Sequence, residues 1–462
     1  MCPRLSRFTV VPVVCPRLSP VIVSGTVFGY EFYRLEAGPI PLTIDRGLWL
    51  AVMCGFAASI VAGRSRIRAF DRTDWLVMGL LGILTISTLV NDWSFRNNLP
   101  LSRLLFFAVM PIGLYFLAKN AAVRAKDLRW IAFGLTLLGL YLAFTAVAEI
   151  NGWWRLVFPA YIRSDSYAEF FGRGRGPLLN PVSNGIFMVV ALTTTWIWFQ
   201  NSRWFGRLPI GIVVGCLLTL GIYSTLTRSI WLMAVLACIA FVWVGATFRH
   251  RVGIVVAGGL LGLIVAATLS SSLIAFKRDK NVTETQMAQS AKLRPIFAKV
   301  AWEMFKDRPV WGFGFGQYTR AKIPYLKDAH SALPLTKAKP YMQHNVFLSY
   351  LTELGIVGMA WLIILLGKLF LVSWKLTQEK SLESWQRGFG LLMFVTLVGY
   401  VVNGMFHDTS ILPMMHMLMF FLAGIASNIY RSFCDQVSAG QQMSLEEAFG
   451  HSHREEFSHA AA

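Results

Sequence analysis

The chain contains about twelve apolar runs, most of them close to the length that a helix needs to cross a bilayer. A helix rises about 1.5 Å per residue, so roughly 20 apolar residues span the hydrocarbon core. The sequence therefore predicts an all-α polytopic membrane protein with about twelve transmembrane helices. The runs lie at roughly 11–32, 46–63, 74–92, 101–118, 129–149, 180–200, 208–224, 229–247, 252–275, 345–373, 387–404 and 411–430.

The composition excludes an ordinary soluble domain. Charged residues make up only 15% of the chain and hydrophobic residues 55%, whereas soluble domains carry about 25% charged residues. The net charge of +19 does not indicate nucleic-acid binding, because Lys and Arg fall mostly in short breaks between apolar runs. That placement is what orientation by the positive-inside rule requires.

The breaks between the runs alternate in charge, which predicts the topology. By the positive-inside rule, the more basic set and both termini are cytoplasmic, and the other set faces the periplasm or the cell exterior. The basic set comprises 63–72, 119–129, 201–207, 248–251 and 375–380, and the outward set comprises 91–98, 150–179, 225–228, 277–344 and 404–410.

Four parts follow from this topology. We expect membrane helices one to nine in 1–275, a periplasmic loop in 276–344, helices ten to twelve in 345–430 and a polar cytoplasmic tail in 431–462. Within the loop, Phe297, Val300 and Met304 recur at helical spacing, which predicts a helix along the membrane interface. Pro295 is expected near the start of that helix, since proline is tolerated in the first turn.

The outward loop is more basic than its side of the membrane predicts. Segment 277–344 has thirteen Lys and Arg residues against five Asp and Glu. Long loops translocate largely regardless of charge, so the topology stands. The excess positive charge suits an anionic ligand or, equally well, anionic lipid headgroups.

Two outward motifs contain arginines that suit anion binding. In "GRGRGPLLNP", Arg173 and Arg175 alternate with glycines, so the backbone and two guanidinium groups can approach a ligand closely. A flexible loop that touches lipid phosphate is the alternative. In "STLTRSIW", Arg228 occupies a very short turn between apolar helices, where a charge is expensive and often functional. Snorkelling to the interface is the simpler explanation of that arginine.

Two further outward motifs carry glycines and a histidine. In "RPVWGFGFGQY", three glycines interleave with aromatic residues, but no strand–helix unit surrounds them, so they do not form a nucleotide fingerprint. In "YMQHNVFLSYLTELGIVG", His344 directly precedes a helix expected to begin near Asn345. Glu353 lies about nine residues deeper on nearly the opposite helix face, so we do not expect it to pair with His344. His407 and Asp408 form a second possible acid–base site.

Several catalytic signatures are absent from the sequence. The outward loops contain no Asp-x-Asp or Glu-x-Asp pair for a divalent cation, and the chain has no Walker motif and no Gly-x-Ser-x-Gly elbow. The sequence thus predicts no metal site, no nucleotide cofactor and no serine nucleophile of that type.

Taken together, these motifs resemble the O-antigen ligase and polymerase superfamily of bacterial envelope glycosyltransferases. The resemblance rests on the short turn with an arginine, the long outward loop with "DRPVWGFGFGQY", and "HNVFLSYLTELGIVG" at the next helix. It covers about 40–430. It implies a C-type glycosyltransferase fold in the bacterial inner membrane, with an undecaprenyl-pyrophosphate-linked glycan as donor, a lipid or glycan acceptor and no cofactor.

The resemblance also implies roles for individual residues. His344 and Arg228 match catalytic positions, although Thr227-Arg228-Ser229 stands where the family commonly shows Ser-Arg-Gly. Substrate contacts are expected from Arg294, from either Arg173 or Arg175, and from four residues of the neighbouring motifs, Asn345, Gly312, Gly314 and Tyr318.

These roles suggest one inverting displacement at the periplasmic face. Arginines stabilise charge that develops on the pyrophosphate oxygens, and a histidine with a pKa near 6.5 accepts the proton of the acceptor hydroxyl. The sequence favours a ligase, with a repeat-unit polymerase as the alternative. A small-anion transporter, for instance of inorganic carbon, is less favoured because we see no repeated broken helices.

Overall fold

The computed structural model describes residues 27–28, 32–35, 42–65, 67–164, 170–245, 253, 284–327 and 333–459. Apart from a few residues, the predicted runs at 11–32 and 252–275 lie outside this part of the chain. The other ten predicted runs all form helices. The all-α polytopic class is confirmed, whereas the total of twelve helices stays a prediction.

Helices account for almost all regular structure in the described residues, apart from two short antiparallel strands. The strands are β1 (Arg34–Leu35) and β2 (Leu42–Thr43), and the helices are α1 (Ile44–Val61), α2 (Arg72–Val90), α3 (Phe95–Leu104), α4 (Met110–Asn120), α5 (Ala125–Ile150), α6 (Pro181–Asn201), α7 (Arg207–Ser224), α8 (Arg228–Gly245), α9 (Glu284–Asp307), α10 (Tyr318–Ala321), α11 (Val346–Gln378), α12 (Ser384–Gly404) and α13 (Pro413–His459).

Among the described residues, nine segments are long and apolar enough to cross a membrane. One of them, Leu99–Asn120, combines α3 and α4 through a π-helical turn at Leu105–Val109. A shorter apolar helix occupies Arg228–Val244. Close packing holds the bundle together where small residues meet: a Cβ added to Gly139 of α5 would lie 2.1 Å from Cβ of Ala191 in α6. Small residues allow such close backbone approach between helices in membranes.

In the described residues, loops of the same predicted set contact one another, and the side of the membrane that each set faces stays a prediction. At one end, hydrogen bonds join loops of the outward set: Gln317 Nε2 to the Asp92 carbonyl (2.7 Å), Gly174 N to the Ser224 carbonyl (2.8 Å) and Asn345 Nδ2 to the Met405 carbonyl (3.0 Å). At the other end, contacts join loops of the basic set: Lys119 Nζ to Asp71 (2.7 Å) and Arg68 N to Asn120 Oδ1 (2.9 Å).

Two helices extend beyond their predicted limits. The expectation that Pro295 would lie near a helix start was wrong, because α9 begins at Glu284 and contains Pro295. Packing of Ile296, Phe297 and Met304 holds the part of α9 that follows the proline. At the C-terminus, α13 continues through most of the polar tail to His459. Ala, Glu, Gln and Met recur in that segment, and all have high helix propensity.

Candidate active site

His344 stands directly before α11, as predicted. Asn345 is the N-cap of this helix, and its side-chain oxygen accepts a hydrogen bond from Leu348 N at 3.0 Å. His344 itself adopts φ 51°, a left-handed conformation that is uncommon for a residue other than glycine. Such backbone strain occurs often at functional sites, where the surrounding structure holds it in place.

Two aromatic rings pack against the His344 imidazole, and the residue stays exposed. The ring centroids of Phe297 and Tyr341 lie 5.3 Å and 6.0 Å away. Partial burial, followed by the charges of Arg294 and Lys322, lowers the pKa of His344 below its usual value of 6.5. The imidazole is therefore neutral at physiological pH and can accept a proton.

Arg294 lies in α9, about one turn before Phe297, whose ring packs against His344. Its guanidinium is 5.0 Å from the centroid of the Phe406 ring, in the turn after α12. Burial of part of the side chain, followed by the charge of Arg228, lowers the pKa of Arg294. The interactions of Arg294 with both Arg228 and His344 bring three predicted site residues into one electrostatic cluster at the same end of the bundle. We call Arg228, Arg294, Lys322 and His344 the cationic cluster.

The tight turn before α8 places Arg228 in this cluster. Leu226 in the turn has φ 48°, so a second non-glycine residue with left-handed backbone stands near the cluster. Arg173, in the outward loop that precedes α6, holds this turn in place. Its Nε donates to the Thr225 carbonyl at 3.3 Å, and its Nη2 donates to the Leu226 carbonyl at 3.2 Å. The same Nη2 donates to Thr227 Oγ1 at 2.5 Å.

Arg175 has different surroundings from Arg173. Its side chain is 1% exposed, its Nη2 donates to the Ile162 carbonyl at 2.8 Å, and its Nε lies 3.7 Å from Oε2 of Glu149. Burial lowers the pKa of Arg175, and the charge of Glu149 opposes this effect. Arg173 thus bonds the turn that precedes Arg228, whereas Arg175 is buried beside Glu149.

The glycine motif packs against α11. Gly312, Gly314 and Gly316 have φ values of 66°, 103° and 78°, which glycine adopts without strain. A Cβ on Gly312 would lie 2.5 Å from the Glu353 carbonyl carbon, and one on Gly314 would lie 2.5 Å from Cγ of Asn91. These close contacts explain by packing why glycine stands at both positions.

Tyr318 and Lys322 lie on the buried side of the loop that follows the glycine motif. Tyr318 is fully buried, so burial raises the pKa of its hydroxyl. Lys322 is 1% exposed and donates from Nζ to the Ala338 carbonyl at 3.0 Å and to the Tyr341 carbonyl. Burial, followed by the charge of Arg96, lowers the pKa of Lys322 to about 8. Sequence reasoning missed Lys322, whose position between short helical turns gave no motif.

Asp408 and His407, the second possible acid–base site, have different surroundings. Asp408 is buried and caps the turn Thr409–Ile411, accepting a hydrogen bond from Ser410 N at 3.2 Å. Burial raises the pKa of Asp408 to about 6, and the charge of Arg103 opposes that rise. His407, in contrast, is half-buried.

The cationic cluster combines basic side chains that can bind an anion with an imidazole, His344, that can accept a proton. Guanidinium groups bind phosphate oxygens with two parallel hydrogen bonds, and a neutral imidazole can accept a proton. The cluster lies within the part of the chain that a comparison with known families identifies. Residues 213–363 match the family model described as O-antigen ligase.

The resemblance to the O-antigen ligase superfamily is confirmed. The O-antigen ligase match covers a third of the chain, including Arg228, the glycine motif and His344. Arg173 and Arg175 lie before it. No curated protein matches the chain. The match supports a membrane enzyme of the O-antigen ligase or polymerase type.

Proposed function

We propose that the chain is a ligase-like glycosyltransferase that moves a glycan from undecaprenyl pyrophosphate to an acceptor hydroxyl at the periplasmic face of the bacterial inner membrane. The observation that carries this proposal is the cationic cluster. The His344 ring lies 5.3 Å from the ring of Phe297, about one turn after Arg294 in α9. The charge of Arg228 lowers the pKa of Arg294, and the charge of Arg294 lowers the pKa of His344. Arg228 and His344 come from two sequence motifs and Arg294 from the family resemblance, and the proximity of the three supports a shared site.

The arginines would hold the pyrophosphate of the donor. A site that keeps like charges close together gains free energy when an anion binds between them. Arginine also presents a planar fork of donors that matches phosphate geometry and stays charged at any physiological pH. These groups would stabilise the charge that grows on the pyrophosphate as it leaves, so the reaction needs no metal ion at this position.

His344 would act as the general base. The acceptor oxygen attacks the anomeric carbon, the bond from that carbon to the pyrophosphate oxygen breaks, and the acceptor proton moves to the imidazole. Attack from the side opposite the leaving group inverts the anomeric centre. The lowered pKa of His344 keeps the imidazole unprotonated and ready to accept this proton.

Transfer by purified protein is the direct test. Incubation with lipid-linked glycan and candidate acceptors, with and without a chelator, should give chelator-resistant transfer. A lipid-type acceptor as the product would support the ligase, whereas extension of one lipid-linked repeat by another would support the polymerase alternative. Uptake of a small anion into vesicles without any transfer would support the transporter and contradict the proposal.

We expect the acid limb of the pH–rate profile to depend on Arg294. The positive charge of Arg294 lowers the pKa of His344, so Arg294→Gln should raise that pKa and move the acid limb to higher pH. The measurement is kcat/KM for transfer between about pH 4.5 and 8. Glu303→Gln, a change in the same helix, serves as the control. An acid limb unmoved by Arg294→Gln would contradict the electrostatic interaction with His344.

Replacement of Arg173 should slow transfer without removing a catalytic group. Arg173→Met loses three hydrogen bonds to Thr225, Leu226 and Thr227, so the turn that places Arg228 loosens. We expect kcat to fall by about 10- to 100-fold, since small misplacements of catalytic groups have effects of this order. Arg163→Met, at an exposed residue before α6, is the matched control. Equal rates in the two variants would show that Arg173 does not position Arg228.

A further inference from the structure

A helix break at Gly355 in α11 is bonded both to the segment that follows α9 and to the residue before His344. Gly355 lies within α11 but has φ 65° and ψ −161°, so the helix unwinds there and its regular hydrogen bonding is interrupted. A Cβ on Gly355 would lie 2.3 Å from the Val310 carbonyl oxygen, which explains why the break contains glycine.

The glycine motif docks on this break through backbone hydrogen bonds. Phe313 N donates to the Thr352 carbonyl and Gly314 N to the Glu353 carbonyl, both at 2.9 Å. In the opposite direction, Ile356 N donates to the Pro309 carbonyl at 2.8 Å. Because α9 ends at Asp307, these bonds fix the end of the helix that carries Arg294.

The segment before His344 attaches to the same break. Gln343 is 1% exposed, and its Nε2 donates to Thr352 Oγ1 at 3.0 Å. Thr352 therefore contacts the glycine motif through its carbonyl and the neighbour of His344 through its hydroxyl. The unwound turn is thus bonded both to the segment that follows α9, the helix of Arg294, and to the residue before His344.

A buried ion pair between α3 and α11 lies next to the break. Arg103 Nη1 lies 3.0 Å from Glu353 Oε1, and both side chains are almost completely buried. The other carboxylate oxygen of Glu353 accepts a hydrogen bond from Gly316 N at 3.1 Å. The Arg103 guanidinium also lies 4.6 Å from the centroid of the Phe315 ring. Glu353 thereby connects α3, the glycine motif and the break in α11.

We propose that Arg103 and Glu353 are positioning residues, which lock the glycine motif onto the broken turn of α11 and so hold Arg294 and His344 in register. The predicted effect on glycan transfer rests on the proposed function, whereas the predicted effect on the structure does not. It also gives the Glu-x-Gly sequence at Glu353 and Gly355 a physical role: the glycine permits the break, and the carboxylate fastens the loop to it.

The double variant Arg103→Met with Glu353→Met tests the proposal. Replacing a buried ion pair by apolar residues of similar volume is often neutral or stabilising for the fold, so the variant separates positioning from stability. Gly316 N loses its acceptor, and we expect amide hydrogen exchange in 309–317 to become at least tenfold faster. Per folded molecule, kcat for transfer should fall at least tenfold, and Arg103→Lys, which keeps the ion pair, should retain most of the rate.

Glu303→Gln is the control, because it neutralises a glutamate of α9 that bridges exposed Lys299 and Lys306. Exchange and transfer should stay normal in this control. If the double variant does not fold, Glu353→Gln replaces it with the same two measurements. Unchanged exchange in 309–317 would overturn the proposal, and so would faster exchange with normal transfer. The exchange measurement needs no glycan. If the proposed function is wrong, the wild-type chain will show no transfer, while the effect of the double variant on exchange can still be measured.

Discussion

Replacing His344 with alanine should abolish glycan transfer while the protein still accumulates in the membrane. A positioned general base contributes about 10²- to 10⁴-fold to a rate, so loss of the imidazole should reduce kcat by that order. His344 is partly exposed at the end of α11, so little packing is lost on truncation. The measurement is transfer from lipid-linked glycan in purified protein, normalised to the folded fraction.

His407→Ala provides the matched comparison, because His407 is another histidine in the same set of outward loops. We expect this variant to keep most of its activity. Transfer that survives His344→Ala but disappears in His407→Ala would show that the base was assigned to the wrong histidine. Partial rescue of His344→Ala by added imidazole would further support the proton-accepting role.

The second large effect is expected from Arg228→Lys. Lysine keeps the positive charge but presents a point charge in place of the planar fork, so bidentate binding to pyrophosphate is lost. Removal of one donor that stabilises developing charge typically costs about 10²- to 10³-fold in kcat. We expect a loss of this order in kcat/KM for the donor, measured with excess acceptor.

Arg320→Lys is the control for this substitution. Arg320 also lies at the outward end of the bundle, where its guanidinium forms an exposed ion pair with Asp92 at 2.9 Å. An exposed ion pair contributes little to stability, so this change should be nearly silent. Near-normal transfer by Arg228→Lys would argue against a bidentate contact and leave only a general electrostatic role for Arg228.

The helices could be predicted from the sequence because their signal is local. An apolar run near 20 residues long has few alternatives to a membrane helix, and caps such as Asn345 mark the boundary. The predicted start of α11 was confirmed on that basis. Pro295 shows the limit of local reasoning, since α9 passes through this residue although proline usually starts or ends a helix.

The candidate site was only partly predictable, because its contacts depend on how distant segments pack. Arg228 and His344 were singled out by motifs and Arg294 by the family resemblance, and the structure brings their charges close enough to affect one another. Neither spacing nor composition distinguished Arg173 from Arg175, since only the folded chain shows one on the turn of Arg228 and the other buried with Glu149. The partnership of Arg103 with Glu353 spans 250 positions, and no periodic pattern connects them.

The left-handed backbone at Leu226 and His344 lowers the stability of the fold. Each residue adopts a left-handed conformation, and such a conformation costs a non-glycine residue about 1–3 kcal/mol. Selection for heat resistance alone would therefore favour relaxation at both positions. Under the proposed function, this strain is the energetic cost of a fixed geometry around Arg228 and His344.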